Sequence, residues 1–254
     1  MMIQLHKETI GDIHLLHMVK AENANTPLPT VIYFHGFNGE KESSLTPAYK
    51  MVEKGLRVIL PDSKFHGERE GDVKPREKDL AFWEIVIQNI TELEVIKDYF
   101  VSNGLTDKDR IGVGGTSMGG ITTYAALAQH QWIKTGAVLM GTPKVSEYAR
   151  QLIDRFNASH KEQIKEMDVK EPLKLLEQFD LTLHPEKLNH RPLFIWHGVK
   201  DNIVPVSLTD EFYEQIKDYY ESDNDLSYIR EENRMHHLSK LSMVKTAEWF
   251  SKQL

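Results

Sequence analysis

The 254 residues contain no cysteine. This excludes disulfides, thiolate metal sites and cysteine nucleophiles, and it suits a reducing compartment. No apolar run approaches the roughly 20 residues needed to cross a bilayer. The opening residues, Met1-Met2-Ile3-Gln4-Leu5-His6-Lys7, lack the basic start and long apolar stretch of a secretion signal. The expectation is therefore a cytoplasmic protein without a membrane partner. Excess positive charge is missing too: 31 Lys and Arg stand against 38 Asp and Glu, a net charge of −7. A nucleic-acid binder shows a basic face, so no nucleic-acid partner is expected, and the mild acidity bears mainly on solubility. Metal-ligand spacing such as His-Glu-x-x-His is absent. His14 and His17 fall on opposite faces of a strand, which argues against a shared metal.

What is present is an alternation of strand and helix patterns at a length suited to one large domain. Residues 9–10 and 13–19 read as two strands joined at Gly11-Asp12, a hairpin turn pair. Residues 21–29 read as a polar loop. The run 30–34 is a short apolar strand ended by His35-Gly36, and 45–54 is a helix with Gly55 as its C-cap. A strand at 56–60 stops at Pro61-Asp62. A long amphipathic helix is expected over 80–101, with Ile85, Ile90, Leu93, Ile96 and Phe100 on its apolar face. Further strands are expected at 135–140, 192–196 and 226–230, and helices at 208–220 and 238–250. Residues 144–190 break the rhythm: they are charged, carry no clear strand and hold two or three short helical patterns. The alternation predicts an α/β fold, a mostly parallel sheet with helices on both faces and an antiparallel edge from the hairpin. The 144–190 stretch is expected as a helical cap over the carboxyl ends of the strands, where open α/β sheets bind ligands.

The segment Ile111-Gly112-Val113-Gly114-Gly115-Thr116-Ser117-Met118-Gly119-Gly120 joins a strand pattern to a helix pattern through Gly-x-Ser-x-Gly. A sharp strand-to-helix turn of this kind exposes a nucleophilic serine, and the flanking glycines let the two backbones approach. Ser117 is the candidate nucleophile. A dinucleotide site fits less well, because its third glycine is replaced by Ser117 and no phosphate-loop lysine follows.

A serine needs a base, and the base needs an orienting acid. In folds with this turn the chain order is Ser, then Asp or Glu, then His. Asp201 follows the strand at 192–196 through His197-Gly198-Val199-Lys200 and is the candidate acid, although Asp201-Asn202 is also ordinary turn chemistry. His236 and His237 lie between the last strand and last helix, and either can be the base. The oxyanion hole needs two backbone amides: Met118, and one from His35-Gly36-Phe37-Asn38-Gly39, where Phe37 is the natural donor. His35 and Gly36 support that loop. His66, in Asp62-Ser63-Lys64-Phe65-His66-Gly67-Glu68-Arg69, either orients the site loops or caps a turn.

These residues resemble the α/β-hydrolase superfamily, and within it the small bacterial esterases related to dienelactone hydrolases and to the catalytic domain of prolyl oligopeptidases. The resemblance spans nearly the whole chain. It rests on the stretch from His35 to Ser43, on Pro61-Asp62 with His66-Gly67-Glu68-Arg69, on the segment around Ser117, and on Arg191-Pro192-Leu193 with His197 to Asp201 and Val204-Pro205. His236-His237-Leu238-Ser239 followed by Trp249-Phe250 fits the base segment of such esterases with His236 as base, although the doubled histidine departs from their usual Gly-His. The resemblance implies Ser117, Asp201 and His236 as a catalytic triad, and a serine hydrolase without cofactor or metal. The expected activity is cleavage of a small-molecule carboxylic ester through an acyl-enzyme. An acyl-peptide or aminoacyl hydrolase and a non-catalytic binding module on the same scaffold are the alternatives. The cap stretch holds few aromatic residues (Tyr148, Phe156 and Phe179) and many charges, which points to a small or polar acyl group rather than a long-chain lipid.

Overall fold

Along the sheet, successive residues of each strand go to opposite layers, and this alternation organises the molecule. Ile32 and Phe34 enter one core with Ile59, Val138, Leu193 and Ile195, while Val31, Tyr33, Ala137, Phe194 and Trp196 enter a second core on the other face. Both faces are apolar because both are covered by helices, as parallel sheets require. The computed structural model describes residues 1–159, 164–222 and 224–254.

Eight strands form one sheet: β1 (Ile3–Ile10), β2 (Ile13–Lys20), β3 (Leu28–Phe34), β4 (Arg57–Pro61), β5 (Thr106–Thr116), β6 (Thr135–Leu139), β7 (Leu193–Gly198) and β8 (Leu226–Glu231). Their spatial order is β1-β2-β4-β3-β5-β6-β7-β8. β1 and β2 run antiparallel at one edge, and β2 also pairs antiparallel with β4. The remaining pairings are parallel. Helices α1 (Leu45–Glu53) and α8 (Lys240–Gln253) cover one face; α3 (Phe82–Ser102), α4 (Met118–Gln129) and α7 (Val206–Ile216) cover the other. This is the α/β-hydrolase architecture. Among the described residues no helix is long and apolar enough to cross a membrane.

Three local expectations change. β1 begins at Ile3, not at residue 9. It is an edge strand with one open face, so His6, Lys7 and Glu8 interrupt the apolar pattern while the backbone still pairs in full register with β2. β3 starts at Leu28, inside the expected polar loop, and Pro29 sits where its register with β5 shifts, a place that tolerates a residue lacking an amide hydrogen. The helix expected over 80–101 is present as α3, but a second helix that the pattern did not show precedes it. A short α2 (Pro75–Leu80) starts with proline at its first turn, and α3 follows after a break at Ala81. Within 144–190 lie α5 (Val145–Ser159), α6 (Glu166–Leu176) and two short 3-10 turns, with no strand among the described residues.

Candidate active site

Ser117 stands between the end of β5 and the start of α4 with φ 57° and ψ −115°, a left-handed backbone that a residue with a Cβ adopts only under constraint. The constraint is close packing on either side. A Cβ on Gly115 would lie 2.4 Å from the Gly119 carbonyl carbon, and one on Gly119 would lie 2.2 Å from the Phe34 carbonyl oxygen. The helix N-terminus is thereby pressed onto β3 and β5 and the serine is raised at the turn.

The other two side chains arrive on loops that are stitched together. Val199 donates its amide hydrogen to Glu231 O at 3.1 Å and Lys200 donates to Arg234 O at 2.8 Å. Gly198 makes room for this crossing, since a Cβ there would lie 2.7 Å from Arg234 O. Glu231 braces the second loop by accepting from the Ser239 hydroxyl (2.6 Å), the Trp196 indole (3.1 Å) and Arg234 Nε (2.6 Å). The result is a continuous chain: Ser117 Oγ lies 2.7 Å from His236 Nε2, and His236 Nδ1 lies 2.7 Å from Asp201 Oδ2. With Nδ1–H donated to the carboxylate, Nε2 presents a lone pair to the serine hydroxyl. Asp201 Oδ1 accepts the amide hydrogens of Ile203 (2.9 Å) and Val204 (3.0 Å). Burial works against the charge on Asp201, but hydrogen bonds from His197 and His236 outweigh it and hold the carboxyl well below the usual carboxylate range. His237 points elsewhere, with Nε2 3.4 Å from Arg234 Nη1. Of the two histidines left open by the sequence, His236 is the one the fold brings to Ser117.

The loop from His35 to Gly39 lies against the serine. A Cβ on Gly36 would sit 3.4 Å from Ser117 Cβ, and the neighbouring Phe37 lines the cavity in front of it. Two buried histidines position this loop. His35 donates from Nδ1 to Gly36 O (2.8 Å) and accepts at Nε2 from the Ser63 amide (3.1 Å). His66 donates from Nδ1 to Lys64 O (2.8 Å) and accepts at Nε2 from the Asn38 amide (3.2 Å). Of the two readings of His66, the structure shows the one in which it links the loops. Beneath it, the fully buried Asp62 accepts from the Lys41 amide (2.9 Å), Lys41 Nζ (2.6 Å) and the Glu68 amide (3.1 Å).

Burial lowers the His66 pKa from 6.5 to about 4 and also lowers that of His35. Both accept a backbone hydrogen at Nε2, which protonation would displace. The sign follows: between pH 6.5 and about 4 the unfolded chain binds the proton and the folded chain does not, so stability falls with acid across that window and is whole above it. For His66 the full effect is roughly 3 kcal/mol. His17, lowered to about 4 chiefly by burial, adds to the slope. His66→Gln keeps an acceptor for the Asn38 amide but does not titrate. Urea unfolding at pH 7 and about pH 4.5 should show a smaller loss of stability in this variant than in the wild type, and equal losses would exclude His66 as a source.

In front of Ser117 is a cavity of about 340 Å³. Its walls are Phe37, Leu80, Phe82, Trp83 and Ile121 on one side, and Tyr148, Leu152, Ile153 and Phe156 of α5 with Ile203 on the other. The Phe82 ring packs tilted against Phe37 at 5.5 Å and edge-on to Tyr148 at 6.4 Å between ring centroids. The charged composition of the cap stretch is not that of the cavity wall, which is mostly apolar with Asp79 and Arg155 among its lining residues. On α5, Tyr148, Leu152, Ile153 and Phe156 face the cavity together with Arg155, and most of the aromatic wall comes from distant segments. Glu231, His197, Phe82 and Trp83 were not singled out from the sequence. His197 stands in the sequence as part of the segment that leads from the strand to Asp201, without a role of its own, and the others carry no local signal. Among the described residues no group of three or more His, Asp or Glu is placed to hold a metal ion.

Residues 89–254 match the model of the prolyl oligopeptidase family. The chain is 44% identical to "Putative esterase YitV" of Bacillus subtilis, with 100% of both chains covered. It is 34% identical to "Esterase YjfP" of Escherichia coli over 80% of this chain and 81% of that one. Among solved structures, TT1662 from Thermus thermophilus superposes with a TM-score of 0.76 at 20% identity, over 98% of this chain and 97% of that one. The last of these speaks to the fold alone.

Proposed function

Since the chain belongs to the prolyl oligopeptidase family of α/β-hydrolases, we propose that it is a carboxylic-ester hydrolase acting through Ser117, His236 and Asp201, with the Phe37 and Met118 amides as oxyanion donors. The observation that carries this reading is the unbroken chain of 2.7 Å contacts from Ser117 through His236 to Asp201 at the floor of an apolar cavity.

In the proposed reaction Ser117 Oγ attacks the ester carbonyl carbon as its proton passes to His236 Nε2. The carbonyl oxygen takes up negative charge against the two backbone amides. The C–O bond to the leaving group then breaks, His236 returns the proton to the departing alkoxide, and Ser117 is left acylated. Water repeats the sequence: His236 takes its proton, its oxygen attacks the acyl carbon, and carboxylic acid and free serine result. No cofactor enters these steps. Because the base must be neutral, the rate falls as acid protonates His236.

The cavity argues for a small to medium apolar acyl group, with α5 as the cap wall. Each methylene that leaves water for this cavity contributes about 0.8 kcal/mol. On p-nitrophenyl esters, kcat/KM should therefore rise about tenfold from acetate to butyrate. Leu152→Trp, which fills the cavity from α5, should remove that gain while leaving acetate turnover close to wild type. A flat chain-length profile in the wild type would place the acyl group elsewhere. Anilides of the preferred acyl group separate this reading from an acyl-peptide hydrolase, whose leaving amine must be protonated efficiently.

A further inference from the structure

Asp201 receives hydrogen bonds from two histidines, and only His236 reaches the serine. The second, His197, ends β7 on the strand face that also carries Leu193 and Ile195, and it is fully buried. Its Nε2 lies 3.0 Å from the Val204 carbonyl oxygen and 3.2 Å from Asp201 Oδ2. Both of these atoms only accept, so Nε2 carries a hydrogen. Its Nδ1 lies 3.0 Å from Thr209 Oγ1. Thr209 Oγ1 also lies 3.1 Å from the Gly141 carbonyl oxygen, which only accepts, and if its single hydrogen goes there Thr209 turns a lone pair toward the imidazole. Nδ1 then needs a hydrogen as well. Turning the hydroxyl toward Nδ1 instead would take this donor from Gly141 O, in a buried segment packed backbone to backbone on Gly120, and a buried carbonyl without a donor is costly.

We propose that His197 is a resident imidazolium, the buried counter-ion of Asp201, and that it acts through Asp201 to keep His236 neutral at rest. The Asp201 carboxylate then accepts two amides on Oδ1 and His236 on Oδ2, with the His197 charge 3.2 Å from Oδ2 and its Nε2 hydrogen shared with the Val204 carbonyl oxygen. The resting pair of Asp201 and His197 has no net charge, so the site does not hold a bare buried anion that would draw a proton onto His236. His197 touches neither the serine nor the cavity and is a positioning residue. Other ionisable groups near this region include Arg155 of α5, which donates from Nη1 to the Ile203 carbonyl oxygen at 2.8 Å. Asp210 of α7 pairs with Arg230 of β8 at 3.3 Å. Tyr148 of α5 has its ionisation pushed upward by burial and remains neutral.

The charge itself is read on the whole protein labelled with 15N-histidine, independently of any substrate. Two-bond 1H–15N correlation spectra should show both His197 nitrogens as protonated, with no change between about pH 6 and 8. His197→Gln identifies the signals by their loss, and Thr209→Val, which keeps shape and removes the acceptor, should move the Nδ1 signal alone. One unprotonated His197 nitrogen overturns the proposal. The kinetic arm rests on the ester-hydrolase reading. His197→Gln retains a donor toward Asp201 but not the charge, so the acid limb of kcat/KM should move up by about 1 pH unit. A lowered rate with an unmoved limb would make His197 a structural donor only and overturn the charge. If the wild type cleaves no ester, the ester reading fails while the spectra still decide the state of His197.

Discussion

Replacing Ser117 by alanine should lower kcat/KM on p-nitrophenyl butyrate by about 10⁵-fold or more while the protein stays folded, because the variant lacks the atom that would carry the acyl group. The size of the loss is informative, and its combination with a second loss is more so. His236→Ala removes the base and should cost about as much, because an unactivated serine is nearly as ineffective as none. The double variant should be no slower than either single one. Independent contributions would multiply, and a product of the two losses would mean that Ser117 and His236 do not act on one step. A third substitution separates chemistry from stability. Ser117 is held at φ 57° and ψ −115°, a conformation glycine reaches without strain. Ser117→Gly should be inactive yet more stable than the wild type by about 1 kcal/mol. A fall in its melting temperature would mean that the turn is not strained.

Gly119→Ala should abolish the site by a different route, through the backbone. The added methyl would lie 2.2 Å from the Phe34 carbonyl oxygen, 2.7 Å from its carbon and 2.9 Å from the His35 carbonyl oxygen. None of these is the movable end of a side chain. Relief requires α4 to lift off β3, and that separates Ser117 from the loop holding Phe37. A cost of about 4 kcal/mol or more is expected, the upper end of single-residue effects. For a domain of this size that lowers the melting temperature by about 10 °C. Gly36→Ala is the control, because its methyl would meet nothing nearer than 3.4 Å and should change the melting temperature little. Similar melting temperatures for both variants would mean that the strand-to-helix turn has more slack than its packing implies.

The two predictions differ in how much the sequence alone supports them. The Gly-x-Ser-x-Gly segment was legible because its turn is local: five residues carry both the strain and the glycines that permit it. The order of Ser117, Asp201 and a histidine after the last strand was legible because each lies beside a recognisable strand end. Position alone left His236 and His237 open, since both lie in the loop after the last strand, and only the resemblance to the esterase base segment favoured His236. The choice depends on where the loop is pinned, and the pins are Glu231 and the close approach of Gly198 to Arg234. His66 was ambiguous for the same reason: its partners, Asn38 and Lys64, lie on two loops that meet only in the fold.

The cavity shows the same division. Composition of 144–190 pointed to a small or polar acyl group, but composition averages over a helix, and only part of α5 lines the cavity. The aromatic wall is assembled from Phe37, Phe82, Trp83 and Tyr148, which are scattered over more than a hundred positions of the chain. What the sequence determined by itself was the set of local events: alternation of strand and helix, the strained serine turn, and the absence of thiol chemistry. The tertiary structure brought His236, the base the resemblance implies, to the serine, and it alone decided which second histidine reaches the acid and how apolar the cavity is. Those are contacts between side chains distant in sequence, set by strand order and loop crossing, and no local pattern of residues encodes them.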